Sequence, residues 1–267
     1  MKPALHFTHA NGIPGKSYET FLSYFQDEYN VHYMPYIGMD KKFPVTAKWK
    51  YLVQEVILDI ETHFPNQKVI GVGHSFGSLL TLMCAYQRPE LFSQLVIMDP
   101  PFIIGRKSPI LELIQKFNLK QVYDATPAGI TLKRRDHWES KEDAYQALRH
   151  NRLFNHFNEQ SFLDYMESGL ENDLVNGGVT LKIPKTLEAE IFKTVPAWWW
   201  RTPRKLPQVP TYLITSKESH FYKQEIPQTA FKVYGIPFSV VEGTHMFPLE
   251  HSQQTAREVL KIINQHK

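Results

Sequence analysis

Apolar positions along this chain recur with two alternating periods. Short β-branched and apolar runs lie near 4–8, 30–35, 68–72, 94–98, 210–215 and 238–242, and each reads as a strand buried in a sheet. Between them, helices are expected near 17–27, 46–63 and 76–87, the last with helical composition and no breaker before Pro89, and in a final stretch from about Ser252 to Gln265. Tyr51, Val56, Ile60 and Phe64 give one helical core face, and Val259, Ile262 and Ile263 give another. This regular alternation of strand and helix predicts an α/β fold with a doubly wound, mainly parallel sheet.

The pattern changes between residues 103 and 206. Only Val179-Thr180-Leu181-Lys182-Ile183 reads as a strand there, and helices are expected near 108–117, 140–156 and 159–169. Ser140-Lys141-Glu142-Asp143 has the form of a capped helix start. The expected organisation is therefore a core of residues 1–102 and 207–267 with a helical cap, 103–206, inserted between two core strands. The cap holds Phe117, Tyr123, Trp138, Tyr145, Phe154, Phe157, Phe162, Tyr165, Phe192 and the triplet Trp198-Trp199-Trp200, with Phe102 at its border. Most of these rings are expected to pack the cap on the core. One or two would line an apolar subsite.

Composition narrows the classes. With 42% hydrophobic and 13% aromatic residues in 267, the chain has ample material for one α/β domain with an insertion. A net charge of +3 is too mild to indicate a nucleic-acid partner. The run Lys133-Arg134-Arg135 is followed by Asp136, Glu139, Glu142 and Asp143, which reads as a solvated mixed surface. Cys84, the single cysteine, permits no disulfide within the chain and reads as a small core residue. No apolar run reaches the roughly 18 residues of a membrane span. Met1-Lys2-Pro3 leads directly into a strand, so no signal peptide is visible and a cytoplasmic location is expected. Nothing in the pattern assigns an oligomeric state.

The candidate chemistry centres on Gly73-His74-Ser75-Phe76-Gly77. A strand precedes this G-x-S-x-G sequence and a helix follows it, which is the context of a nucleophile elbow. Ser75 is the expected nucleophile; the competing structural role is a helix N-cap. In this architecture an acid and then a histidine follow the serine in chain order. His245 sits on a loop between the run Phe238-Ser239-Val240-Val241 and the final helix, where a general base would stand over Ser75. Backbone N–H groups of Asn11, in the loop after the first strand, and of Phe76 are the expected oxyanion donors. An ordinary Asn-Gly turn is the alternative for Asn11.

The segments FTHANGIPGKSY at 7–18, GVGHSFGS at 71–78, LVIMDPP at 95–101 and EGTHMFPLE at 242–250 together resemble the α/β-hydrolase superfamily. The resemblance is to serine esterase-like members with a His-Ala-Asn-Gly loop, and it covers nearly the whole chain. It implies a serine hydrolase that cleaves a small-molecule carboxylic ester with a hydrophobic component through an acyl-enzyme, with no metal or organic cofactor. Thioester or carbon–carbon bond hydrolysis would use the same residues, and an idle, ligand-binding relative is the runner-up class. Two departures stand out. The family's usual N-terminal hairpin is missing, so the sheet should be shorter at that edge. The usual aspartate is also missing from the loop after Thr211-Tyr212-Leu213-Ile214-Thr215, which reads Ser216-Lys217-Glu218-Ser219-His220. Asp99, at the end of an earlier strand, is the preferred acid, and Glu218 is the alternative. A polar pocket would point instead to an acidic substrate held by Arg134 or Arg201.

Overall fold

The structure is a computed structural model that describes residues 2–104, 107–117, 119–197 and 208–265. Trp198-Trp199-Trp200 and Arg201 lie outside the described residues.

Six strands form one sheet: β1 (Ala4–Thr8), β2 (Asn30–Tyr33), β3 (Val69–His74), β4 (Phe92–Met98), β8 (Thr211–Ser216) and β9 (Phe238–Val241). Their order is β2-β1-β3-β4-β8-β9, and every pairing is parallel. No described strand lies beyond β2, in line with the short edge expected from the sequence. β3 sits inside the sheet and is buried along its whole length, which accounts for its run of Val, Ile and Gly without alternation. The chain steps from β1 outward to β2 and then back across to β3. The order reverses there, and crevices for ligands open at the carboxyl ends of strands on either side of such a switch.

Helices cover both faces. On one face lie α1 (Glu19–Ser23), α12 (Phe247–Glu250) and α13 (Ser252–Gln265), which join Phe7, Val72 and Val96 in one core through Phe21, Phe247, Val259 and Ile262. On the other lie α2 (Lys50–His63), α3 (Phe76–Gln87) and α11 (Ile226–Tyr234). These bury Val56, Ile60, Leu79 and Ala230 against Val69, Leu95 and Leu213. A short helix, α10 (His220–Lys223), connects β8 to α11.

Two helix starts differ from the periodic reading. Residues 15–18 form a 3-10 turn before the short α1, and the helical run ends at Ser23 rather than continuing to 27. α2 begins at Lys50 because Lys48 and Trp49 are left-handed, with φ of 62° and 54°. That turn buries Trp49, whose indole N–H donates to the Ile191 carbonyl and Thr194 Oγ1 at 3.1 and 3.2 Å. Tyr51 is only half-buried, and the inward face of α2 is carried by Leu52, Val53, Val56, Ile57 and Ile60.

Between β4 and β8 the chain forms α4 (Lys107–Lys116), α5 (Val122–Ala125), α6 (Ala128–Lys133), α7 (Lys141–Arg149), α8 (Glu159–Ser168) and α9 (Lys185–Lys193). Ser140 Oγ accepts the Asp143 N–H and caps α7. A small antiparallel sheet is added to this helical segment, with β5 (His137–Trp138), β6 (Leu170–Asn172) and β7 (Val179–Leu181) in the order β5-β7-β6. β5 and β6 are two and three residues long, and Glu171 and Asn172 are polar, so neither offers a strand period to read. The helix expected over 140–156 stops at Arg149. The chain then turns so that Phe154 and Phe157 enter the core beside Phe162 and Tyr165.

At the β1–β2 edge, His6 and His32 are register partners, and both Nε2 atoms lie 2.8–2.9 Å from Asp59 Oδ2 of α2. Burial keeps His6 neutral by pushing its pKa down. Burial alone would raise Asp59, but the hydrogen bonds from His32 and His6 outweigh it and hold the carboxylate below its ordinary range.

Candidate active site

The elbow is built by a single strained residue. Ser75 has φ 53° and ψ −120°, between the end of β3 and the start of α3. Its N–H donates to the Met98 carbonyl at 2.8 Å, so the turn is tied to β4. The flanking glycines are required by close backbone approach. A Cβ on Gly77 would lie 2.3 Å from the Thr8 carbonyl oxygen, and one on Gly73 would lie 2.7 Å from the Ser78 backbone nitrogen. Strain of this kind persists only where surrounding structure holds it, and it presents the Ser75 hydroxyl above the sheet.

His245 reaches Ser75 from the loop after β9. Its Nε2 lies 2.9 Å from Ser75 Oγ, and its Nδ1 lies 2.5 Å from Asp99 Oδ2. Glu250 braces this loop by accepting both the Thr244 N–H and the Thr244 hydroxyl, while Ser216 Oγ donates to the Thr244 carbonyl at 2.7 Å. Phe221 packs edge-on against the imidazole.

Asp99 follows β4 directly, with φ 48° and a fully buried side chain. Its Oδ1 accepts Thr215 Oγ1–H at 2.6 Å, and its Oδ2 accepts Ser219 Oγ–H at 2.5 Å as well as the His245 contact. A buried carboxylate that meets three donors is held in one orientation. Glu218 lies in the next loop but is exposed, and among the described residues its backbone N–H meets the Gly243 carbonyl. The structure thus brings Ser75, His245 and Asp99 together and leaves Glu218 outside. Thr215 lies near the end of β8 and Ser219 in the loop after it, and no sequence motif marks either hydroxyl.

Asn11 and Phe76 both border the space above Ser75. Phe76 opens α3, so its N–H belongs to the helix N-terminus, where no intrahelical acceptor exists. Asn11 follows β1, and its side chain amide donates to the Glu188 carbonyl of α9 at 3.0 Å. Gly12 has φ 75°, and a Cβ there would strike the Glu188 carboxylate at 2.5 Å. The loop after β1 is therefore fastened to α9.

Above Ser75 lies a cavity of about 1210 Å³. Its wall is largely apolar and includes Phe102, Ile104, Ile130, Ile191, Phe192 and Phe221. Among the aromatics between β4 and β8, Trp138, Phe154, Phe157, Phe162 and Tyr165 are buried in packing instead. Lys133 and Arg135 are exposed, as the solvated reading of this run expects, and Arg134 alone of the three departs from it. Arg134 turns toward the cavity wall and pairs in two-pronged fashion with Glu188, at 2.6 and 3.2 Å. Glu188 is 5% exposed, and its burial raises its pKa against the opposing pull of Arg134. With its guanidinium engaged in this way, Arg134 is not a free anchor for an acidic substrate.

Among the described residues, His6, His32 and Asp59 form the one group whose donor atoms approach as metal ligands do, all within 4.8 Å. This group lies at the β1–β2 edge. His6 Nδ1 is buried without a partner. That favours the tautomer whose Nε2–H donates to Asp59, which leaves no lone pair at Nε2 for a metal.

Comparison with known proteins places this geometry in context. A family model described as Alpha/beta hydrolase family matches residues 7–258. A type I acyl-CoA thioesterase, mpaH of Penicillium brevicompactum, is 29% identical over 159 residues, covering 53% of this chain and 34% of that protein. The chain thus spans about a third of the length of this curated relative. Among solved structures, an E-2-(acetamidomethylene)succinate hydrolase superposes with TM-score 0.75 at 17% identity, covering 99% of this chain and 92% of that one. The thioesterase domain from the curacin biosynthetic pathway superposes with TM-score 0.73 at 17% identity, covering 97% and 91%. At these identities the two superpositions show a shared fold.

Proposed function

This chain belongs to the alpha/beta hydrolase family, and from that premise we propose that it hydrolyses a carboxylic ester or thioester with a large hydrophobic acyl or aryl part. The observation that carries the reading is the unbroken contact from Ser75 Oγ through His245 to Asp99 at the base of a mostly apolar cavity. In this reading residues 103–206 act as a cap over a core of 1–102 and 207–267.

His245 Nε2 takes the Ser75 proton as Oγ attacks the carbonyl carbon. The carbonyl electron pair moves onto oxygen, and the N–H groups of Asn11 and Phe76 stabilise the resulting oxyanion. Asp99 holds the imidazole with Nδ1–H facing the carboxylate and stabilises the imidazolium. The imidazolium then gives its proton to the departing alkoxide or thiolate, and the acyl group remains on Ser75. Water, deprotonated by the same Nε2, attacks the acyl-enzyme carbonyl, and the imidazolium returns the proton to Ser75 Oγ as the acyl–oxygen bond breaks and the acid leaves.

The thioester variant draws support from the thioesterase relatives, and a thiolate leaves more readily than an alkoxide. Labelling with a fluorophosphonate, alongside matched panels of oxygen esters and thioesters, tests both. Ser75→Ala is expected to abolish labelling and to reduce turnover about 10⁴-fold or more with the fold intact. Retention of near-wild-type turnover by purified Ser75→Ala would overturn the mechanism.

A further inference from the structure

Three loops must be held in mutual register for this chemistry: the loop after β1, the elbow, and the loop of His245. A buried chain of hydrogen bonds links all three. The Ala10 N–H donates to Tyr18 Oη at 3.3 Å. Tyr18 Oη lies 2.7 Å from His74 Nδ1, and His74 Nε2 lies 2.8 Å from the carbonyl oxygen of His245. Tyr18 and His74 are fully buried, and Ala10 is 3% exposed.

The direction of every bond follows from the two ends. A carbonyl oxygen only accepts, so His74 carries its proton on Nε2. Neutral His74 then has a lone pair on Nδ1, which accepts the Tyr18 hydroxyl. Tyr18 Oη in turn accepts the Ala10 N–H. Burial supports these states, since it pushes His74 well below its ordinary pKa and Tyr18 well above. The chain is therefore uncharged and has a single polarity. Packing fixes it further: Tyr18 stacks at a tilt on Phe7, and His74 meets the edge of Phe247.

We propose that Tyr18 and His74 are positioning residues, which set the height of the His245 imidazole over Ser75 and hold the Ala10-Asn11 backbone where an oxyanion forms. His74 adjoins Ser75 in sequence and bonds the main chain of His245, so one rigid ring spaces nucleophile and base. Tyr18 couples that ring to the residue before Asn11. Neither side chain lines the cavity, so substrate affinity should not depend on them. The proposal rests on the hydrolytic reading of the site above.

Tyr18→Phe keeps the ring and removes the oxygen, leaving the Ala10 N–H and His74 Nδ1 without partners. The expected result is a fall of roughly 10- to 100-fold in kcat and in the fluorophosphonate labelling rate, with KM nearly unchanged. His74→Gln retains a donor toward the His245 carbonyl and should keep more activity than His74→Leu. Long-range ¹⁵N imidazole spectra supply a readout independent of turnover. His74 is expected as the neutral Nε2–H tautomer around neutral pH in the wild type, and as a different tautomer or a titrating group in Tyr18→Phe. Wild-type kcat in Tyr18→Phe, equal loss in the two His74 variants, or an Nδ1–H tautomer would each overturn the proposal. A wild-type protein that neither labels nor turns over any ester would instead overturn the hydrolytic reading and with it the catalytic part of this role. The tautomer spectrum would then still decide whether the hydrogen-bond chain exists.

Discussion

At the residue scale the acid carries most of the discrimination. Asp99 and Glu218 lie in neighbouring loops, yet one is buried with three donors and the other is exposed. Asp99→Asn would remove the charge that stabilises the imidazolium and would favour the wrong histidine tautomer, so kcat should fall by about 10³–10⁴. Glu218→Gln should leave kcat within about twofold, as expected for a surface change away from the site. Steady-state kinetics of the two variants check this, and the reverse ranking would move the acid to Glu218. The hydroxyls of Thr215 and Ser219 explain how one carboxylate is kept in place at the end of a strand. Sequence motifs led to Ser75 because an elbow is local, five residues with a strand before and a helix after. Nothing local distinguishes the acids, since Asp99 meets His245 across 146 residues.

At the element scale, α2 carries a carboxylate whose burial runs against its charge. Glu55 accepts the Gly38 N–H at 2.8 Å, and burial pushes its pKa up to about 7. The folded-state pKa is raised above the ordinary 4.5, so the stability from this group is fully present below pH 4.5 and is lost as pH rises through about 7. Glu55→Gln keeps an acceptor for Gly38 and removes the charge. Denaturant unfolding should therefore show Glu55→Gln more stable than wild type at pH 8, by about 2–3 kcal/mol, and nearly equal at pH 4.5. A difference that stays the same at both pH values would show that Glu55 titrates normally in the fold. The elements themselves were legible where helical composition ran on without a breaker, as in α3, or where an apolar period ran long enough, as in α13. They were not legible where tertiary burial dictated a turn: Trp49 adopts a left-handed conformation to bury its indole under α9, and this moves the start of α2 to Lys50.

At the scale of the whole molecule, the segment between β4 and β8 supplies much of the wall above Ser75. Its helices and Phe221 of α10 enclose a cavity of about 1210 Å³ over Ser75, far more than an acetyl group fills. Each added methylene of an acyl chain should then gain up to about 0.8 kcal/mol, a few-fold in kcat/KM, until the cavity is full. A series of chromogenic esters from acetyl to octanoyl measures this, and a flat response would mean that the chamber does not hold the acyl group. Arg134 offers no counter-attraction for an acid, because Glu188 already engages its guanidinium at the cavity wall.

The chain by itself determined the order of strand and helix, the parallel sheet and the place of the elbow, because each is written in contiguous residues whose period or turn chemistry is local. A reading of the residues also reached His245, through chain order and a loop between strand and helix. Tertiary structure alone decided the rest. It placed the buried Asp99 against His245 and left Glu218 exposed. It turned Arg134 from a surface run into the partner of Glu188, 54 residues away. It joined Tyr18 to His74 across 56 residues and His74 to the carbonyl of His245 across 171. Contacts of that range depend on which strand ends meet at the switch in the sheet and on which side chains lose water there. Neither is expressed in the pattern of neighbouring residues.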